Sequence, residues 1–200
     1  MPPTPSAKRS NASMRRFVFG KRGFLANPRG MAAVEMAMLS PIFLLVLGGA
    51  VDYGGAMQIK FNLDNAVTAA SNFALNNASK VASTTGAALA TQLAAIVVSG
   101  HSANWANASI TINNGPEVTV TSGVSVNTGT ASSADSCYCP TGAMTGIVWG
   151  SAVACGSACG NSALAGKYVV ISAKHSFSPL ILPASLIGTS FTATSVVETK

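Results

Sequence analysis

The first thirty residues show no sustained apolar run, and then the chain becomes almost wholly hydrophobic. From Met36 to Val51 there is no charge, and extending back to Met31 adds only Glu35. The resulting run, MAAVEMAMLSPIFLLVLGGAV, is 21 residues long, against the ~20 needed to cross a ~30 Å hydrocarbon core. Backbone polar groups in lipid must be satisfied within the segment, which predicts a helix. Pro41 removes one intrahelical hydrogen bond and predicts a kink. Gly48 and Gly49 offer a close-approach surface for packing against another helix.

Beyond the run the spacing stays helical. Ile59, Leu63, Val67, Ala70 and Ala74 recur every three or four residues, with Lys60, Asp64, Asn65 and Ser71 off the stripe. This stripe packs either on the chain's own domain or on a partner helix. Ala- and Leu-rich Gly86–Val98, ending before Gly100, predicts a second helix. The period then changes to two. Ser109–Asn113 and Glu117–Thr121 alternate around Asn114-Gly115-Pro116 and predict a hairpin. Lys167–Phe177 and Ser190–Glu198 predict two further strands, and Gly- and Ser-rich Ser122–Asp135 a loop. The expected fold is α+β: an N-terminal transmembrane helix continuing into a long helix packed on a small antiparallel sheet. The expected divisions are a basic leader (1–30), the span (31–52), a helical region (53–100) and a β-rich region (101–200).

Charge assigns a direction to the span. The net charge of +6 comes from Lys8, Arg9, Arg15, Arg16, Lys21, Arg22 and Arg29, all preceding Glu35. From Asp52 onward, Lys60, Lys80, Lys167, Lys174 and Lys200 balance Asp52, Asp64, Glu117, Asp135 and Glu198. A basic block before an apolar run stays cytoplasmic, so the expected topology is single-pass, with the N-terminus cytoplasmic and the C-terminal region on the other side of the membrane. A nucleic-acid tail could share the charge, but no aromatic or helical recognition pattern accompanies it. Only 9% of residues are charged and 48% are hydrophobic, well below the quarter charged that soluble domains carry.

Four cysteines, Cys137, Cys139, Cys155 and Cys159, cluster in the β-rich region. On the outer side of the membrane the compartment is oxidising, so two disulfides are the expected state. In an extended strand Cys137 and Cys139 face the same side, which favours cross-pairing to Cys155 and Cys159 over two local loops. A four-thiolate metal site is a loose fit, because structural zinc ligands favour gaps of two to four residues.

Glu35 is an acidic residue inside an apolar span, where burial costs ~2.5–3.5 kcal/mol at mid-span and less near an end. The bland reading is an interfacial carboxylate reaching headgroup water. The sharper one comes from the sequence around it, Arg29-Gly30-Met31-Ala32-Ala33-Val34-Glu35, which resembles a type IV prepilin processing site. Cleavage after Gly30 would create an α-amine on Met31 that the Glu35 carboxylate could pair with, in the same or a neighbouring subunit, setting register between packed helices.

Residues from about Arg16 to Ala78 resemble the TadE-like family. The elements that carry the resemblance are Arg29-Gly30, Ala33-Val34-Glu35-Met36-Ala37, Pro41, Asp52-Tyr53-Gly54 and the Asn/Ala-rich stretch Asn62–Ala78. Cys137-Tyr138-Cys139-Pro140, Cys155, Cys159, Tyr168-Val169-Val170 and Phe177-Ser178-Pro179-Leu180 are similar with less specificity. One departure is Met36, where pseudopilins of tight-adherence systems commonly carry Tyr or Phe. The resemblance implies a structural minor pilin or pilus-assembly protein. Its implied partners are the lipid bilayer, pilin and other minor pilins, assembly-platform membrane proteins and a prepilin peptidase, with no cofactor and no nucleic acid. Gly30 and Met31 are then the processing site and Glu35 its determinant, with Pro41, Gly48 and Gly49 shaping helix packing.

Enzyme motifs are missing. Two histidines, His101 and His175, and five scattered acids give no readable catalytic spacing, and there is no Walker A loop or dinucleotide fingerprint. Trp105 and Trp149 belong to a core or an interface, or stack on a sugar. Two other readings stay open: a secreted binding module whose apolar run is a cleaved signal, and a membrane-anchored receptor with no pilus role.

Overall fold

The computed structural model describes residues 28–100, 102, 104–160 and 162–199, with side chains from Met31 onward. The basic leader up to residue 27, His101 and Lys200 lie outside the described residues. The chain divides into two compact units, residues 1–45 and 46–200. Helix α1, Pro28–Asn76, contributes to both and includes Pro41. In the first unit the apolar side chains of α1 from Met31 to Leu45 stand exposed.

The second unit is α+β, as expected. After α1 come a short 3-10 turn (Ala78–Lys80) and α2 (Gly86–Ser99). The strands are β1 (Asn107–Ile112), β2 (Glu117–Thr121), β3 (Val124–Thr128), β4 (Thr141–Ala143), β5 (Gly146–Val148), β6 (Tyr168–Ser176) and β7 (Ser190–Glu198). A one-turn helix α3, Ala184–Ile187, lies between β6 and β7. Five strands form one antiparallel sheet in the order β3-β2-β1-β6-β7, and β4 and β5 form a separate hairpin.

Strict alternation sends one face of the large sheet to the core. Ile110 is opposite both Val118 and Ile171, Ile112 is opposite Val169, and Ala173 is opposite Ala193. These residues are buried against Leu89, Leu93 and Val97 of α2 and Leu63, Val67, Ala70 and Ala74 of α1. The small side chains of Ala70 and Ala74 on α1, and of Ala90 and Ala94 on α2, belong to the same cluster. Lys60 pins α1 to the sheet edge, donating from Nζ to the Thr192 carbonyl at 3.0 Å and pairing with Asp64 at 2.8 Å.

The stretch Ser122–Asp135, expected as a loop, instead contains β3 and a 3-10 turn, Ala131–Asp135. Ser122 and Gly123 both have positive φ, 50° and 79°. That is the two-residue turn whose twist suits a hairpin, and it brings Val124 opposite Thr121. The strand was hidden because β3 is an edge with every residue exposed, so its side chains carry no burial signal.

Asn113 ties three segments together. It is fully buried at φ 49° in the β1–β2 turn. Its Nδ2 donates to the carbonyls of Ala134 and Ser136, its Oδ1 accepts from the Tyr168 N–H at 3.2 Å, and its own N–H donates to the Tyr168 carbonyl at 2.8 Å. The neighbouring Gly115 permits the approach of the 3-10 turn, since a Cβ there would stand 2.9 Å from the Ala134 nitrogen.

The cysteines form Cys137–Cys155 and Cys139–Cys159. The segment they cross-link leaves the large sheet after β3 and rejoins it at β6. Backbone bridges from Cys137 to Val153 and from Tyr138 to Gly166 hold its base.

Truncating a core leucine tests this packing. Leu93→Ala should lower stability by ~2–5 kcal/mol, read as a depressed midpoint in thermal circular dichroism of the detergent-solubilised chain. An acid-sensitive contact should also be visible. Asp135 is held below its ordinary value of 3.8, chiefly by hydrogen bonds from the Ser83 side chain and backbone. Because the folded value is the lower one, the stabilisation is present above pH 3.8 and disappears as pH falls through the folded value. Asp135→Asn is expected to flatten that acid limb, measured by comparing melting profiles of both chains between neutral pH and pH 3.

Candidate functional site

In the second unit one face of α1 is buried from end to end. Gly48, Asp52, Ala56, Leu63, Val67, Ala70 and Ala74 are buried, with half-buried Ile59 filling the gap. The steps are four, four, three, four, four, three and four residues, which keep a single line along the helix. The stripe legible from Ile59 onward therefore extends back into the apolar run, and Asp52 is a charged member of it.

A carboxylate in that position must find donors. Asp52 is 3% exposed and finds them in the β6–β7 connection. Oδ1 accepts from the Leu180 N–H, and Oδ2 accepts from the N–H groups of Ile181 and Leu182, each at 2.8 Å. Local sequence makes this possible. The three donors lie between Pro179 and Pro183, which have no N–H and restrict the residues around them, so successive amides can converge on one anion.

The clasp seats the loop on the helix. A Cβ at Gly48 would stand 2.2 Å from Ile181 Cδ1 and 3.1 Å from its Cγ1 and Cγ2, while one at Gly49 would lie 3.6 Å from Leu182. The close approach these glycines allow is thus made by the chain's own loop. One turn on, Phe177 lies against Gly55, and its ring is 5.7 Å from that of Phe191.

The other sequence-derived positions are not gathered here. The Gly30–Met31 bond lies within α1, with Met31 exposed, and Glu35 and Pro41 also stand on the exposed surface of that helix. His175 stacks on Trp105 at 5.3 Å and hydrogen-bonds its carbonyl. Trp149 packs edge-on to Tyr138 at 5.8 Å. Trp149 also overhangs an open cleft of about 460 Å³ between the β4–β5 hairpin and the sheet face turned away from the helices. Ser109, Thr111, Ser172, Thr192 and Thr194 line its floor, and Met144 and Ile147 its wall. Among the described residues no three His, Cys, Asp or Glu side chains come together as a metal-binding group. The four cysteine sulfurs pair with one another.

Asp52 and Phe177-Ser178-Pro179-Leu180 both stand among the family-like elements of the sequence, but nothing local joins them. The available signals were the four-residue steps that place Asp52 on the core stripe and the proline-bracketed apolar triplet.

A helix long and apolar enough to cross a membrane, running into a disulfide-bonded α+β unit, defines the class of protein. Residues 30–71 match the model of the TadE-like protein family, the family that the motifs around Glu35 and Asp52 resemble. The match covers α1 from Gly30 through Asp52 to Ser71, and the clasp's three donors and the sheet lie outside it. No curated protein and no solved structure matches the chain.

Removing the clasp carboxylate should release the loop. Asp52→Ala leaves three amides without their acceptor and is expected to speed hydrogen exchange at Leu180, Ile181 and Leu182 and to expose residues 177–189 to proteolysis. The amides of β1 and β6 should keep their protection. Exchange mass spectrometry of the detergent-solubilised chain reads both regions together.

Proposed function

We propose that this chain is a structural, non-enzymatic subunit of a tight-adherence pilus system: a minor pilin or assembly protein anchored in the inner membrane by α1. The observation that carries the reading is the family match over residues 30–71, which falls on the helix that is long and apolar enough to cross a membrane. The basic leader sets the N-terminus in the cytoplasm and delivers the disulfide-bonded unit to the oxidising side. The helix also has a face free for neighbours. Tyr53, Met57 and Phe61 recur every four residues and are 61%, 42% and 58% exposed, on a side of α1 that its own domain leaves open. Pilin or platform helices pack there, with Glu35 setting register lower down. The secreted-module reading removes residues 1–50, which would take Gly48 from beneath Ile181.

The N-terminus of the protein recovered from native membranes tests the route. A start at Met31 only when a prepilin peptidase is present is the expected result, and a start near Val51 would retire the pilin reading. Glu35→Ala should leave the disulfide-bonded unit folded and reduce piliation, scored by electron microscopy of the cells. Unchanged processing, localisation and piliation would remove Glu35 from the mechanism.

A further inference from the structure

The loop that Asp52 holds has an unusual surface. Leu180 is 82% exposed, Leu186 73% and Ile181 53%, and from Ser176 to Val197 the chain has no charged residue. Exposed leucines on a connection this apolar ask for a covering partner. Its position on the helix identifies one. The loop meets α1 at Gly48, Gly49 and Asp52, the last turn of the apolar run that ends at Val51. At 1.5 Å per residue, Met31–Val51 covers about 31 Å, so the level of Gly48 and Gly49 is the outer edge of a ~30 Å hydrocarbon layer.

We infer that residues 178–188 form a second membrane contact, a wedge whose Leu180, Ile181 and Leu186 side chains enter the acyl-chain boundary of the leaflet at the C-terminal end of the span. This rests on the reading of α1 as a spanning helix. Irregular backbone at that depth is tolerated only where its polar groups have partners, and where the loop meets α1 its donors are provided for. Pro179 and Pro183 have no N–H, and Leu180, Ile181 and Leu182 donate to Asp52. Phe177, Leu186 and Gly188 donate to the carbonyls of Thr189, Pro183 and Ala184. Asp52 thus brings the acceptor that lets a non-helical segment rest in a poorly hydrated layer. Tyr53 at the same level, with its exposed ring, suits the aromatic belt of a membrane interface. With α1 alone the domain would pivot on one helix, whereas the wedge gives a second point of attachment and limits that rotation.

The test places a photoreactive benzophenone side chain at position 186 of the full-length protein in native membranes, with separate chains carrying it at positions 44 and 128. Leu44 lies within the apolar run, and Thr128 is exposed at the opposite end of the sheet from the wedge. After irradiation, mass spectrometry is expected to find phospholipid adducts at 186 and 44 and none at 128. Leu180→Asp should cause loss of the lipid adduct at 186 while that at 44 persists. Lipid adducts at 44 with only protein adducts, or none, at 186 would overturn the wedge and leave the spanning helix standing. Absence of lipid adducts at both positions would overturn the spanning reading and the wedge with it.

Discussion

One carboxylate holds together the two ends of this fold. Asp52 lies on the buried line of α1, where an unpaired charge would be untenable, and its three donors come from the far end of the sequence. Everything near the upper end of the apolar run follows from satisfying that charge. The β6–β7 connection must pass beside the helix rather than loop away from it, Gly48 and Gly49 must stay small to admit Ile181 and Leu182, and Phe177 and Phe191 must close the gap above. A neutral residue at position 52 would place no such demand on the connection.

Farther along, α1 is held on the sheet without that charge. The core proper is an ordinary layer of α2 and part of α1 on four strands, β1, β2, β6 and β7, with leucine, isoleucine and valine filling the space between alanines. Lys60 and Asp52 add polar ties at two points along α1, both reaching the β6–β7 region.

Much of this architecture was legible in the residues. Alanine- and leucine-rich composition located α2 to within a residue, alternation marked both arms of the β1–β2 hairpin to within two, and β7 fell on Ser190–Glu198 as expected, because those segments each have one wet and one dry face. The legible part ended where burial did. Strand β3 has two exposed faces, and the short β4–β5 hairpin is held by disulfides and bridges, not by an apolar pattern. The clasp was hidden for a different reason. Its partners lie 128 to 130 residues apart, and neither periodicity nor motif spacing reports a pairing over that distance. Its spacing puts Asp52 on the core stripe, but only the fold shows which amides answer it.

That separation has a consequence for how the protein is made. With the topology proposed above, the chain emerges on the far side of the membrane from α1 onward, so Asp52 arrives early and its three amides arrive among the last residues. Strands β1 to β3 can pair and the cysteines can oxidise while the carboxylate is still waiting. The clasp closes only after β6 has crossed, and β7 then completes the edge. A truncated or stalled chain carries, on the buried line of α1, an acid with no amide to answer it, beside glycines with nothing seated on them.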